Sequence, residues 1–321
     1  MSDTPVEARG LVKQYGRITA VDHVDLTVNR GDVYGFLGPN GAGKTTALRM
    51  MLGLIYPTAG SVRLFGRDPI GEGAAALDGV AGFVEAPRFY PYMSARTNMR
   101  MMAAYDGDEA PERVEEALET VELTGRADDK VGGYSHGMRQ RLGIAAALLR
   151  RPNLLLLDEP ATGLDPGGMR DMRTLIRRLA DGGMTVLLSS HLLAEVEELC
   201  DRVAIIRAGR IVYEGAIHEL KASAASAYRL RTSDNATALG VCQAQTGVAA
   251  ARIEGADIRM EAGEPTIAEL SVALIEAKLQ ITALVPEGAT LEDLFFRLTE
   301  GSTPGEIEVP DRPVGVVGGT A

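Results

Sequence analysis

The stretch GPNGAGKTT, residues 38–46, decides how the rest of the chain is read. Residues 38–45 match the spacing G-x-x-x-x-G-K-[ST] of a phosphate-binding loop. Gly38, Gly41 and Gly43, with Pro39, Asn40 and Ala42 between them, let backbone N–H groups turn inward around phosphate oxygens. Lys44 supplies a point charge for the β- and γ-phosphates. Thr45, followed by Thr46, offers a hydroxyl that can ligate Mg2+. The motif carries weight only between a strand and a helix, and both flanks fit. DVYGFLG before it reads as a strand, and KTTALRMMLGLI as a helix whose positive dipole end faces the loop.

The partner of this loop lies in LLLLDEP, residues 154–160. Four consecutive leucines make a strand buried on both faces. Asp158 then emerges at the carboxyl end of the strand, where α/β sheets bind ligands. A carboxylate there can hold Mg2+ directly or through water. Glu159 beside it can accept the proton of an attacking water. An apolar strand ending in two acids is by itself an ordinary solvated loop; its pairing with the loop at Gly38 gives it chemical meaning.

The bulk composition excludes several other readings. The chain has 321 residues, room for about two domains at roughly 150 residues each. Its net charge of −11 argues against a broad nucleic-acid surface, because phosphate contacts need Lys and Arg. The two cysteines, Cys200 and Cys242, have neither metal-ligand spacing nor a disulfide framework, which fits a reducing, cytosolic setting. The start MSDTPVEARG shows no signal peptide, and no apolar run nears the roughly 20 residues that span a bilayer. Any membrane step therefore falls to another chain.

Strand-like and helix-like segments alternate up to about residue 218, as in an α/β core. In HLLAEVEELC, Leu192, Val196, Leu199 and Cys200 share one helical face, and Cys200 reads as core. RVAIIRAGRIVYEG reads as a hairpin turning near Ala208–Gly209. Residues 89–150 form a helical insert, in which Met99, Met101 and Met102 read as packing residues. Beyond His218 the composition changes. Ala-rich KASAASA reads as a connector, and the order β-α-β-β-α-β over 219–302 suits a small ferredoxin-like α+β domain that ends in the helix LEDLFFRLTE. Residues 303–321, rich in Pro and Gly, read as disordered.

With what lies between them, these motifs resemble the nucleotide-binding subunits of ABC transporters, over about residues 5–220. YSHGMRQRL, from Tyr134, resembles the family's signature, usually LSGGQ: Ser135 and Gly137 are kept, while Tyr134, His136 and Met138 replace the Leu, the first Gly and the Gln. TGLD resembles the D-loop, with Asp165 its acid; His191 matches the switch histidine, and Tyr15 the aromatic that stacks on adenine. The resemblance implies a P-loop NTPase core of the ABC ATPase type that binds ATP and Mg2+. It implies two ATP molecules sandwiched between two such chains, with the Ser135-capped helix of one chain facing the γ-phosphate held by the other. His191 would contact that γ-phosphate and orient the water with Glu159. His136 either adds a donor near the phosphate or simply faces the interface. His23 and His218 read as surface.

The implied function is a cytosolic ATPase subunit, on the cytoplasmic face of the membrane, that powers a permease. The C-terminal LEDLFFRLTEG and the stretch EAPRFYPYMS are similar to those of bacterial exporter subunits for drugs, antibiotics and peptides, including bacitracin and lantibiotic self-protection. The competing class is a soluble ABC-type ATPase acting on ribosomes or DNA; those members usually carry two cassettes or long coiled-coil inserts, and this chain has neither. One departure is chemical. Glu85 stands where the family has the Q-loop Gln, keeping acceptor oxygens and adding a negative charge that is favourable opposite Mg2+ and unfavourable opposite the γ-phosphate; it either approaches Mg2+ when the dimer closes or is a loop acid that stays in solvent. Phe89, Tyr90, Pro91 and Tyr92 follow, where the family docks coupling helices; they either form that interface or pack inside the insert.

Overall fold

A run such as Leu154–Leu157 has no polar face to offer water, so it can only be a strand covered on both sides. The computed structural model is centred on strands of this kind and describes residues 4–106, 110–223, 227–287, 291, 294 and 295. In chain order its elements are β1 (Val6–Tyr15), β2 (Ile18–Val28), β3 (Val33–Leu37), α1 (Lys44–Met51), β4 (Ala59–Leu64) and β5 (Val80–Phe83). The insert follows with α2 (Ala95–Ala103), α3 (Val114–Thr120) and α4 (His136–Leu148). Then come β6 (Leu154–Asp158), α5 (Pro166–Asp181), β7 (Thr185–Ser190), α6 (Leu193–Leu199), β8 (Arg202–Arg207), β9 (Arg210–Ala216) and α7 (Ile217–Ser223).

The central sheet has the order β5-β6-β7-β3-β8-β9, parallel except for β9. Its side chains alternate between two cores. Val33, Leu37, Leu155 and Leu157 enter one, shared with α2 to α7. Tyr34, Phe36, Leu154 and Leu156 enter the other, shared with α1 and with a separate antiparallel sheet, β2-β1-β4. That second sheet is not legible in the sequence, because register shifts interrupt the alternation of β1 against both neighbours. The parallel arrangement brings the carboxyl ends of β3, β6 and β7 together. Gly38 N–H donates to the Ser190 carbonyl (3.3 Å) and Glu159 N–H to that of Ser189 (3.2 Å), so both motif loops leave the same edge.

The insert is helical as expected, with one correction. Met99 is fully buried, but Met101 and Met102 are exposed: Met101 lies about 200° round the helix from Met99, whereas Met102 shares its side and is exposed next to the end of α2 at Ala103. The aromatics divide in the same way: Phe89 packs on the first core, while Tyr90 and Tyr92 are exposed.

The last part of the chain contains β10 (Ala227–Thr232), α8 (Asn235–Ala244), β11 (Val248–Glu254), β12 (Asp257–Ala262), α9 (Glu264–Glu276) and β13 (Ile281–Glu287). Its sheet order, β11-β12-β10-β13, is antiparallel throughout, the split βαβ order anticipated for a ferredoxin-like unit. Leu230, Cys242, Met260 and Leu274 are among the buried side chains of its own core.

Two boundaries differ from the sequence reading. KASAASA begins inside α7, because Ile217 and Leu220 anchor that helix in the first core and alanine and lysine extend it readily. Leu291, Leu294 and Phe295 are helical and buried, and they join the first core rather than that of the small sheet. The Leu291 N–H donates to Oε2 of Glu197 on α6 (3.2 Å). Their spacing marks one apolar face, but nothing in it specifies which core receives that face. Residues 303–321 lie outside the described residues. Truncating Phe295 to Ala should therefore destabilise the main body, by about 3 kcal/mol. Urea unfolding of the full chain checks this; an unchanged midpoint would contradict the packing.

Candidate functional site

The loop at residues 38–43 closes tightly enough to exclude side chains. Gly43 has φ +108°, and a Cβ there would lie 2.2 Å from the Ala20 carbonyl oxygen of β2. Lys44, Thr45 and Thr46 form the first turn of α1. The Lys44 ammonium is buried, and it donates to the carbonyls of Gly38 (2.7 Å) and Pro39 (3.3 Å). It also sits 3.2 Å from Glu159 Oε1.

Asp158, buried at the end of β6, accepts from the Thr45 hydroxyl (2.9 Å) on one oxygen and from the Ser189 hydroxyl on the other. Thr45 and Asp158 thus offer hard oxygen donors beside the phosphate loop. That donor set fits Mg2+, which takes one or two protein oxygens and completes its shell with phosphate and water. Glu85 is not part of this cluster. Its carboxylate is exposed and ion-paired with Arg49, one turn along α1 from Thr45.

Glu159 is held on every side. Its Oε2 accepts from the Thr162 hydroxyl (2.7 Å) and from His191 Nδ1–H (2.6 Å), while Oε1 faces Lys44. Burial pushes its carboxyl pKa up, but the Thr162 hydroxyl, the Lys44 charge and His191 outweigh burial and hold it below the ordinary value. With Nδ1 committed to Glu159, Nε2 is the His191 nitrogen left to face a ligand. The Glu159 backbone has φ +51°, a left-handed conformation uncommon outside glycine, and such strain collects at functional sites.

The remaining candidates lie around this centre. Tyr15, at the end of β1, exposes its ring with the Lys13 ammonium 5.0 Å from the centroid. Ser135 caps α4 by accepting from Met138 N–H (3.2 Å). Gly137 packs toward Leu164, where a Cβ would meet Cδ2 at 3.5 Å. Asp165 caps α5 by accepting from Gly168 N–H (3.1 Å). Among the described residues no hydrogen bond joins Ser135 or Gly137 to the loop at 38–46. Sequence reading misses Thr162, Ser189 and Glu195. A signal for the first two exists: hydroxyls one turn after Glu159 and two residues before His191.

Glu195 gives no such signal, since it resembles any acid on an amphipathic helix. It is 6% exposed on α6, and its Oε1 has no hydrogen-bond partner among the described residues. Burial pushes its pKa up to about 7; Glu159 and Glu198 add to the rise, and Arg173 and His191 oppose it.

The sequence pattern of ABC transporters matches residues 21–162. The bacitracin transport ATP-binding protein BcrA of Bacillus licheniformis is 37% identical over 304 residues, which span 94% of this chain and 99% of BcrA. The chain belongs to the ABC transporter family. The daunorubicin/doxorubicin resistance ATP-binding protein DrrA of Streptomyces peucetius is also 37% identical, over 92% of each chain. A nucleotide-free ATP-binding cassette from an ABC transporter superposes with TM-score 0.63 at 26% identity, covering 68% of this chain and 94% of the cassette. This ABC ATPase hydrolyses ATP to drive a transporter, and its relatives favour that role over a soluble ATPase of ribosomes or DNA. No helix among the described residues is long and apolar enough to cross a membrane. The relatives are ATP-binding subunits of transporters, which implies a membrane permease as partner.

The Glu195 carboxyl has a pH signature. A folded pKa of about 7 against an ordinary 4.5 means that stability from its neutral form is complete below 4.5 and lost as pH rises through about 7. Glu195→Gln should therefore stabilise the chain at pH 8, by on the order of 2 kcal/mol, and change little at pH 5. Thermal unfolding at the two pH values checks this.

Proposed function

We propose that this chain binds ATP at Gly38–Thr46 with Tyr15 against the adenine, and that Glu159 is its general base. The observation that carries the reading is the contact of Glu159 with Lys44, Thr162 and His191 at the mouth of the phosphate loop. Lys44 meets the β/γ-phosphates and exchanges its carboxylate partner for them. Losing that cation raises the basicity of Glu159 and frees Oε1 to take a proton from water. His191, oriented through Nδ1, presents Nε2 to the γ-phosphate. Thr45 and Asp158 would hold Mg2+, which supplies neutralising charge to the phosphates, and Glu85 would leave Arg49 and approach the metal when the dimer closes.

In this reading two copies pair, and Ser135, Gly137 and Asp165 of each complete the site of the other. The α4 N-terminus, capped by Ser135, suits that anion through its positive dipole end. The pair sits on the cytoplasmic face of the membrane against the permease, where the exposed Tyr90 and Tyr92 offer an interface, and binds no nucleic acid. The cargo is a drug, antibiotic or peptide moved outward; the likeness to bacitracin transport and to daunorubicin/doxorubicin resistance proteins supports that class. The nucleotide-binding part runs from 1 to about 218, extended by α7 and by the segment at Leu291–Phe295, and the small sheet forms an accessory unit.

Glu159→Gln should lower Mg2+-dependent ATP turnover by about 10²- to 10⁴-fold while leaving ATP binding intact. It should also accumulate an ATP-bound dimer on size-exclusion chromatography. Turnover at the wild-type rate would remove Glu159 from the mechanism. Glu85→Gln and Glu85→Ala, titrated with Mg2+, test its place near the metal; two variants matching wild type would exclude it.

A further inference from the structure

We infer that His136, which stands where the family has glycine, is a positioning residue that links the two ATP sites of the dimer through Thr162. The ring Nε2–H donates to the Thr162 carbonyl (3.0 Å). The Thr162 hydroxyl in turn donates to Glu159 Oε2 (2.7 Å), the oxygen that also accepts from His191. One residue, Thr162, is thus held at its backbone by the signature loop and at its side chain by the general base. The ring is firmly seated. It is half-buried, and a Cβ on Gly163 would meet the ring at 3.6 Å. Glycine at this position has no side chain and cannot make the connection.

The direction of the link follows from the proposed dimer, on which the inference rests. Ser135 and Gly137 face the γ-phosphate bound by the partner, whereas Glu159 works on the ATP of its own chain. When α4 closes on the partner's nucleotide, His136 moves with it and carries the Thr162 carbonyl along. That displacement changes the hydrogen bond on Glu159 Oε2. Occupancy of one site is thereby read at the base of the other, within a single chain and through two hydrogen bonds. His136 touches no substrate in this scheme. It acts on the reaction only through Thr162.

Mixed dimers separate this role from a direct contact between His136 and phosphate. Full-length chains with two different affinity tags are co-expressed and purified in tandem, so that each dimer holds one Glu159→Gln chain and one working Glu159. In the first dimer His136→Gly is on the chain with the working Glu159. In the second it is on the Glu159→Gln chain, whose signature faces the working site. The link predicts that kcat falls about fivefold in the first dimer only, the loss of one ordinary hydrogen bond, with KM for ATP unchanged. His136→Gln, whose amide N–H reaches as far as the ring nitrogen, should restore the rate.

Equal effects in the two dimers, an effect in the second alone, no effect in either, or failure of Gln to rescue would each overturn the link. A Glu159→Gln homodimer that turns over like wild type would overturn instead the assignment of the base, and the link with it.

Discussion

A lysine ammonium withdrawn from water has to find oxygen atoms, and in this ABC ATPase that requirement organises the site. Lys44 finds two carbonyls in its own loop and one carboxylate from a different strand. The arrangement is possible only because β3 and β6 run parallel, two strands apart in one sheet, so that their loops emerge side by side. The apolar run at Leu154–Leu157 is therefore as much a part of the chemistry as the acids that end it. It drives Asp158 and Glu159 to the edge where Lys44 waits. Phosphate oxygens offer the same ammonium a more highly charged partner, and in the mechanism we propose this makes nucleotide binding and release of Glu159 a single event.

Much of this is legible in the sequence, for a physical reason. The loop, the acidic strand end and the switch histidine are local patterns whose geometry is set by neighbours along the chain: glycines that turn, a strand that buries, a helix that begins. The parts that escape depend on long-range choices. The alternation of β1 is broken by irregular pairing, so no period marks it. Glu195 sits beside Val196 on the inward flank of α6, and only the packed fold reveals that its carboxyl is sealed in. Leu291, Leu294 and Phe295 announce an apolar face but not its destination.

Two of the departures from the family's motifs, Glu85 and His136, are treated differently by the fold. Glu85 adds a full charge, and the structure leaves it in solvent beside Arg49, where an ion pair contributes little and is easily exchanged. His136 adds a ring N–H donor, and the structure places it in a half-buried contact with a definite partner. An exposed acid is retained where it can be released, and a ring donor where it can be held. Glu85 and Glu159 share a left-handed backbone, so both carboxylates leave their strands in directions an ordinary extended loop would not provide.

The placement of Leu291, Leu294 and Phe295 in the first core also bears on how the protein is made. Chains are synthesised from the amino end, and domains generally fold as they emerge. Here the strands that hold nucleotide are complete by β9, yet the core behind α6 lacks its last side chains until the small sheet has been translated and its following segment released. The ATP-binding part is therefore finished last rather than first. A chain cut short by premature termination leaves a ribosome with an incomplete ATPase, its apolar core open to chaperones and proteases before it can engage a permease.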